Sequence, residues 1–105
     1  GLDDLQTATM WFMNNAMAKP DNAGAGSTDY MHLFGTVALG YMWARMAKAA
    51  AAALASGEAS DAAFLETKLT LAKHFMERHM PETALRLARV SAGAETIMGL
   101  DAEAF

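Results

Sequence analysis

The sequence predicts an all-α protein, an antiparallel helical bundle of about four helices. Three observations carry this reading. Only two Pro occur in 105 residues, β-branched residues are few beside an Ala-rich remainder, and apolar residues recur at helical spacing. The length suits one compact domain and is too short for two. Hydrophobic residues make up 53% and charged residues 19% of the chain, which is richer in apolar groups than an average soluble domain. Either the core is dense or some apolar surface is meant to be covered. The nine Met fit both readings, since Met fills gaps in cores and is common at adaptable contact surfaces.

The first helix is predicted over Leu2 to Lys19. Leu2, Leu5, Thr9, Phe12, Met13 and Ala16 share one face, and Asp3, Asp4, Thr7, Asn14 and Asn15 take the other. Asp3 and Asp4 favour the positive end of the helix dipole. Trp11 projects from the polar side, either as a contact residue or packed on a loop of its own chain. Pro20 and the stretch Asp21-Asn22-Ala23-Gly24-Ala25-Gly26 read as a linker.

Ser27 or Thr28 is then expected to cap a second helix running to about Ser56, with Gly57 closing it. Tyr30, Leu33, Phe34, Val37 and Tyr41 line one face of it, while Met31, Leu39, Met42 and Met46 lie opposite. A helix apolar nearly all round should be buried on several sides. Gly40, Ala44, Ala47 and Ala51 form a small-residue stripe that lets a neighbouring helix come close.

Ser60 or Asp61 caps a third helix ending near Met80. Its apolar arc is Phe64, Leu65, Leu69, Leu71, Ala72, Phe75 and Met76, and its wet face is Glu66, Thr70, Lys73, His74 and Glu77. The fourth helix runs from Pro81 to about Met98 with Gly99 closing it. It turns Glu82, Arg86 and Arg89 outward and Leu85, Leu87, Ala88 and Ala92 inward. Glu82 and Arg86 form an (i, i+4) pair in the favourable order. The last two helices can also run on as one rod kinked at Pro81.

Few residue patterns here carry chemistry. A net charge of −4 with scattered Lys and Arg argues against a nucleic-acid partner. The absence of Cys removes disulfides, thiolate zinc sites and cysteine nucleophiles. No apolar run approaches the ~18 residues that span a membrane, so a soluble cytoplasmic protein is expected. His74 and His79 are five residues apart and point about 140° from each other on a helix, and His32 stands alone, so no metal site is expected. No Ser lies beside a His at catalytic spacing, and Gly24-Ala25-Gly26 lacks the preceding strand of a phosphate loop. No catalytic or cofactor-binding residue is assigned.

Lys68 and His79 fall in the middle of the third helix's apolar arc. Lys68 can snorkel its ammonium to the edge, and His79 can bond a carbonyl near Pro81. Alternatively, both belong to an interdomain contact or a site for a ligand's phosphate.

Two segments, NAGAGSTDYMHLFGTVALGYMWARMAKAA from Asn22 to Ala50 and FLETKLTLAKHFMERHMPETALRLARVSAGAETIMGLDAEAF from Phe64 to the end, carry a family resemblance. They are similar to the C-terminal extension of long acyl-CoA dehydrogenases, particularly the 3-methylmercaptopropionyl-CoA dehydrogenase group, over nearly the whole chain. The resemblance implies a parent flavoprotein that oxidises the Cα–Cβ bond of an acyl-CoA thioester. It also implies that FAD and the catalytic glutamate belong to a preceding core, and no Glu in this sequence can be matched to that residue.

Gly1 ahead of a helix, and an end at Glu103-Ala104-Phe105, lead to the expectation of a fragment of a larger dehydrogenase. The expected role is an accessory domain packed on the dehydrogenase core of the same chain or on a second subunit, in a homo-oligomer. Trp11, Met31, Met42, Met46, Lys68 and His79 are its candidate interface residues. A free-standing homo-oligomeric interaction module and a small CoA- or acyl-binding bundle are the alternatives.

Overall fold

A computed structural model describes residues 1–16, 18–57 and 61–104. Helices α1 (Leu2–Asn15), α2 (Pro20–Ser56), α3 (Ala62–Arg78) and α4 (Glu82–Ser91) are followed by a single turn, α5 (Glu95–Met98), and a 3-10 turn over Ala102–Ala104. No strand occurs among the described residues.

Helix α2 begins at Pro20, seven residues before the expected Ser27, so the presumed linker is helix. Lys19 is extended (φ −139°, ψ 97°) and Pro20 follows in the first turn, where its missing N–H costs nothing. Gly24 and Gly26 each weaken a helix by roughly 0.5–1 kcal/mol relative to Ala, yet the segment stays helical because it is packed. Gly26 is buried, and a Cβ there would lie 2.9 Å from the Phe12 ring and 3.6 Å from the Val90 Cα. The glycine therefore permits three helices to meet rather than loosening the chain. Ser27 does not cap; its hydroxyl donates to the Gly24 carbonyl at 3.1 Å inside the helix. The finished helix has 37 residues, about 55 Å of rise. Gly57 closes it in the left-handed conformation (φ 70°), as expected. Asp61 precedes α3 without a capping side-chain bond, and Ser60 lies outside the described residues.

α2 is the spine. α1 and α4 pack on it and on each other, and α3 packs along its C-terminal half. The pairs Trp43–Phe75, Asp29–Arg86, Gly26–Val90 and Asn22–Ala94 hold one antiparallel register from end to end. α3 and α4 thus form a single broken rod running back along α2. At the break the His79 and Met80 N–H groups both donate to the Phe75 carbonyl, at 2.9 and 3.0 Å, and Glu82 N–H donates to His79 at 3.1 Å. Pro81, having no N–H to give, sits in this gap.

The bundle is open rather than closed. Its extents are 68 × 27 × 14 Å and its radius of gyration is 19.4 Å, against about 13 Å for a compact chain of this length.

The core lies where α1, α2 and α4 meet. Ala8, Leu33 and Val90 are fully buried there, with Leu5, Trp11, Phe12, Tyr30, Val37 and Leu87 packed around them. On α1 the inward face centres on Ala8, so Leu2 and Met13 are exposed, contrary to expectation. The Thr9 hydroxyl donates to the Leu5 carbonyl and lies 2.8 Å from the Tyr30 hydroxyl, which ties this face to α2. On α2, Leu33 is buried as expected, but Phe34 and Tyr41 face outward.

α4 departs further from expectation. It ends at Ser91, and Gly93 rather than Gly99 takes a left-handed conformation after it (φ 74°). Thr83 and Val90 are its buried residues and Leu87 packs on the core as expected, whereas Leu85, Ala88 and Ala92 are exposed. The polar Thr83 can be buried because its hydroxyl donates to Asp4 Oδ2 at 2.6 Å. Arg86 turns inward instead of outward, pairing with Glu82 and Asp29 at 2.8 Å each. Asn22 joins three termini, accepting the Ala94 N–H at 2.9 Å and donating to the Asn15 carbonyl at 3.4 Å.

Of the small-residue stripe, Gly40 is buried and Ala47 half-buried, while Ala44 and Ala51 face solvent. A Cβ at Gly40 would run into the Met80 side chain and lie 3.5 Å from the Phe75 ring. Gly40→Leu is therefore expected to lower the denaturation midpoint, at a cost of about 1–3 kcal/mol from overpacking. In an exposed helix the same change would raise the midpoint, because Leu is the better helix former by ~1 kcal/mol. An unchanged or raised midpoint would refute the close approach of α3 at this point.

Candidate interface

Beyond the reach of α1, α2 and α3 form a two-helix arm with a continuous apolar and aromatic surface. Trp43 stacks on Phe75 with ring centroids 6.4 Å apart. Lys68, one helical step from Phe64 and Leu71, holds its ammonium 5.9 Å from the Trp43 ring centre and 5.3 Å from that of Phe64. Such contacts favour a cation over an aromatic face and fix a side chain that would otherwise roam. Leu39 and Met46 lie one turn to either side of Trp43 on α2. Phe64 is 59%, Leu39 55% and Leu71 42% exposed, so this is uncovered surface rather than core.

The six residues singled out in the sequence are not gathered into one surface. Lys68 stands at the centre of this patch and Met46 at its side. Met42 and Met31 lie further round α2, 50% and 65% exposed. His79 is exposed at the break between α3 and α4, its ring 5.4 Å from Phe75 and 5.5 Å from His74. The two His rings come within contact distance at the end of α3, against expectation. Trp11 is at the far end, half-buried, edge-on to Phe12 at 5.6 Å and against Gly93. Sequence reasoning put Phe64 in the apolar arc of α3 but made neither it nor Trp43 an interface residue. For Phe64 the signal was its spacing of one turn to Lys68, whereas Trp43 is brought there only by the antiparallel register of α2 and α3.

Elsewhere the polar groups are engaged in holding helices. Arg86 sits between Glu82 and Asp29, and Arg89 reaches Asp29 at 3.6 Å. Hydrogen bonds to Asp29 and then Glu82 raise the Arg86 pKa above the usual arginine range. That group stays charged at every physiological pH. Among the described residues no group of three or more His, Cys, Asp and Glu could hold a metal ion, and no helix is long and apolar enough to cross a membrane.

An open groove of about 720 Å³ lies between the start of α2 and the end of α4, lined by Lys19, Pro20, Asp21, Asn22, Gly93 and Glu95 among others. It does not suit a flavin. Its lining carries the carboxylates of Asp21 and Glu95, which would oppose a pyrophosphate, and no aromatic side chain to stack on the ring system.

A search of curated proteins finds no match to this chain. The family model described as acetyl-CoA dehydrogenase C-terminal like matches residues 1–101, which takes in every helix from α1 to α5. Its span agrees with the resemblance carried by the two sequence segments and with the all-helical architecture. The chain belongs to the acetyl-CoA dehydrogenase C-terminal-like family.

Proposed function

We propose that this domain is a structural accessory to an FAD-dependent acyl-CoA dehydrogenase, packing against the catalytic core of that enzyme and steadying its homo-oligomer in the cytoplasm. The oxidation of acyl-CoA to enoyl-CoA, with its flavin and its base, belongs to the rest of the enzyme. One observation supports the packing role above all. The thin, elongated bundle leaves Leu39, Tyr41, Met42, Phe64 and Leu71 between 42% and 62% exposed. Surface of that kind marks a contact in a soluble protein. Contacts between domains of one chain typically bury roughly 600–1,500 Å².

The test is truncation of the full-length enzyme before Leu2, followed by light scattering, thermal melting and kinetics on several acyl-CoA chain lengths. A lower melting temperature, aggregation or an altered oligomer is expected, with flavin chemistry retained in whatever stays folded. Unchanged stability and assembly would refute the packing role. Combined with a large, chain-length-dependent rise in KM, that result would favour substrate binding instead.

A further inference from the structure

The geometry points to a helical continuation of α1: in the longer enzyme of the role proposed above, the residues just before Gly1 run on along α2 and fill the groove of Tyr41, Ala44, Lys48 and Ala52. This rests on that role only in taking a polypeptide to precede Gly1.

The register of α1 on α2 leads there. The Thr9 hydroxyl meets that of Tyr30, the Phe12 ring lies against Gly26 and Tyr30, and Asn22 donates to the Asn15 carbonyl. α1 is therefore antiparallel to α2, and going back toward Gly1 moves along α2 toward its C-terminal half. Gly1 and Gly40 both abut the Met80 side chain, so α1 starts level with Gly40. The residues of α2 beneath α1 include Gly26, Tyr30, Leu33 and Val37, at steps of four, three and four. The same stepping past Val37 reaches Tyr41, Ala44, Lys48 and Ala52, which keep to one face of a helix. Those four share an open groove of about 620 Å³ with Arg45 and Ala49. Tyr41 is 62% exposed, and Ala44, Lys48 and Ala52 are exposed as well. The stripe is thus one continuous track, covered as far as α1 extends and bare beyond it. From Tyr41 to Ser56 it has room for about sixteen helical residues, or about 24 Å.

Charge sets the chemistry of the occupant. Arg45 and Lys48 border the groove, and α2 carries no Asp or Glu after Asp29. A helix seated there is complementary when it brings carboxylates toward those cations and small or apolar side chains over Ala44 and Ala52.

Photo-cross-linking of the full-length enzyme tests the track. A benzophenone amino acid is placed at Ala44 and, separately, at Ala52, and the captured peptide is read by mass spectrometry. Both positions are exposed, so neither substitution enters the core. The expected partner is the stretch within about twenty residues before Gly1. The point captured from Ala52 should lie about eight residues further upstream than the point captured from Ala44, because two antiparallel helices rise equally per residue. The same probe at Thr70, exposed on α3, should capture no part of that stretch. Capture confined to more distant parts of the core, or to residues 1–105 of a second copy, would overturn the inference. So would capture points that stay fixed, or move toward Gly1, between the two probes. Loss of capture in saturating acyl-CoA, with a raised KM in Arg45→Glu, would make the groove a phosphate site and overturn it too. If truncation before Leu2 destabilises the enzyme but capture falls elsewhere, the packing role stands and this track does not. If capture is as expected but truncation changes nothing, the track stands and the packing role fails.

Discussion

Leu33→Ala is expected to destabilise the domain by about 2–5 kcal/mol, the range for removing a large aliphatic side chain from a core that cannot collapse onto the space. Leu33 is fully buried with Ala8 and Val90, and the rings of Trp11, Phe12 and Tyr30 stand around them. α1 and α4 are tied to each other by Thr83–Asp4, and α4 to α2 by Arg86–Asp29, so the walls of the cavity resist closing. Each kcal/mol shifts the melting temperature of a domain this size by roughly 4–8 °C. Thermal melting followed by circular dichroism should show a fall of about 10 °C or more. A loss below about 1 kcal/mol would mean that the three helices do not converge on this residue.

Gly26→Leu should have an effect of similar size by the opposite route. The new side chain would meet the Phe12 ring, which is held edge-on between Trp11 at 5.6 Å and Tyr30 at 5.0 Å. Behind it lies the Val90 backbone. A ring boxed in by two others has nowhere to turn, so the helices must separate. The expected loss is about 3 kcal/mol or more from overpacking, against a gain of ~1 kcal/mol in helix propensity. Gly40→Leu should cost less, because the obstacle there is the flexible end of Met80. Equal losses at the two glycines would refute this distinction, and a stabilised Gly26→Leu protein would return the segment to the status of a loose linker.

These two glycines also show where the sequence stops being legible. Helix content, the close of α2 at Gly57, the break at Pro81 and the wet face of α3 all follow from local composition and spacing, and local physics determines them. The start of α2 does not. Gly24-Ala25-Gly26 after a Pro is equally compatible with a linker and with a close helix crossing, and the deciding groups, Phe12 and Val90, are remote in sequence. The inward face of α4 was hidden for a related reason. Thr83 and Arg86 read as surface residues until Asp4 and Asp29 arrive to satisfy them. For the candidate interface, periodicity marked Lys68 as a polar residue among apolar ones. It could not reveal Trp43 across the gap, nor that the second face of α2 would be left uncovered by the rest of the chain.

The slab-like shape has a thermodynamic consequence. Among the described residues the largest fully buried side chains are Leu33, Val90 and Thr83, a small interior for a chain of this length. A neighbour that binds only the folded form stabilises it by mass action. Folding of the domain and the packing proposed for it would then be linked equilibria. A substitution at Leu33 would weaken such packing by depleting the binding-competent population. A neighbour seated on the exposed face of α2 and α3 would in turn protect the Leu33 core from opening.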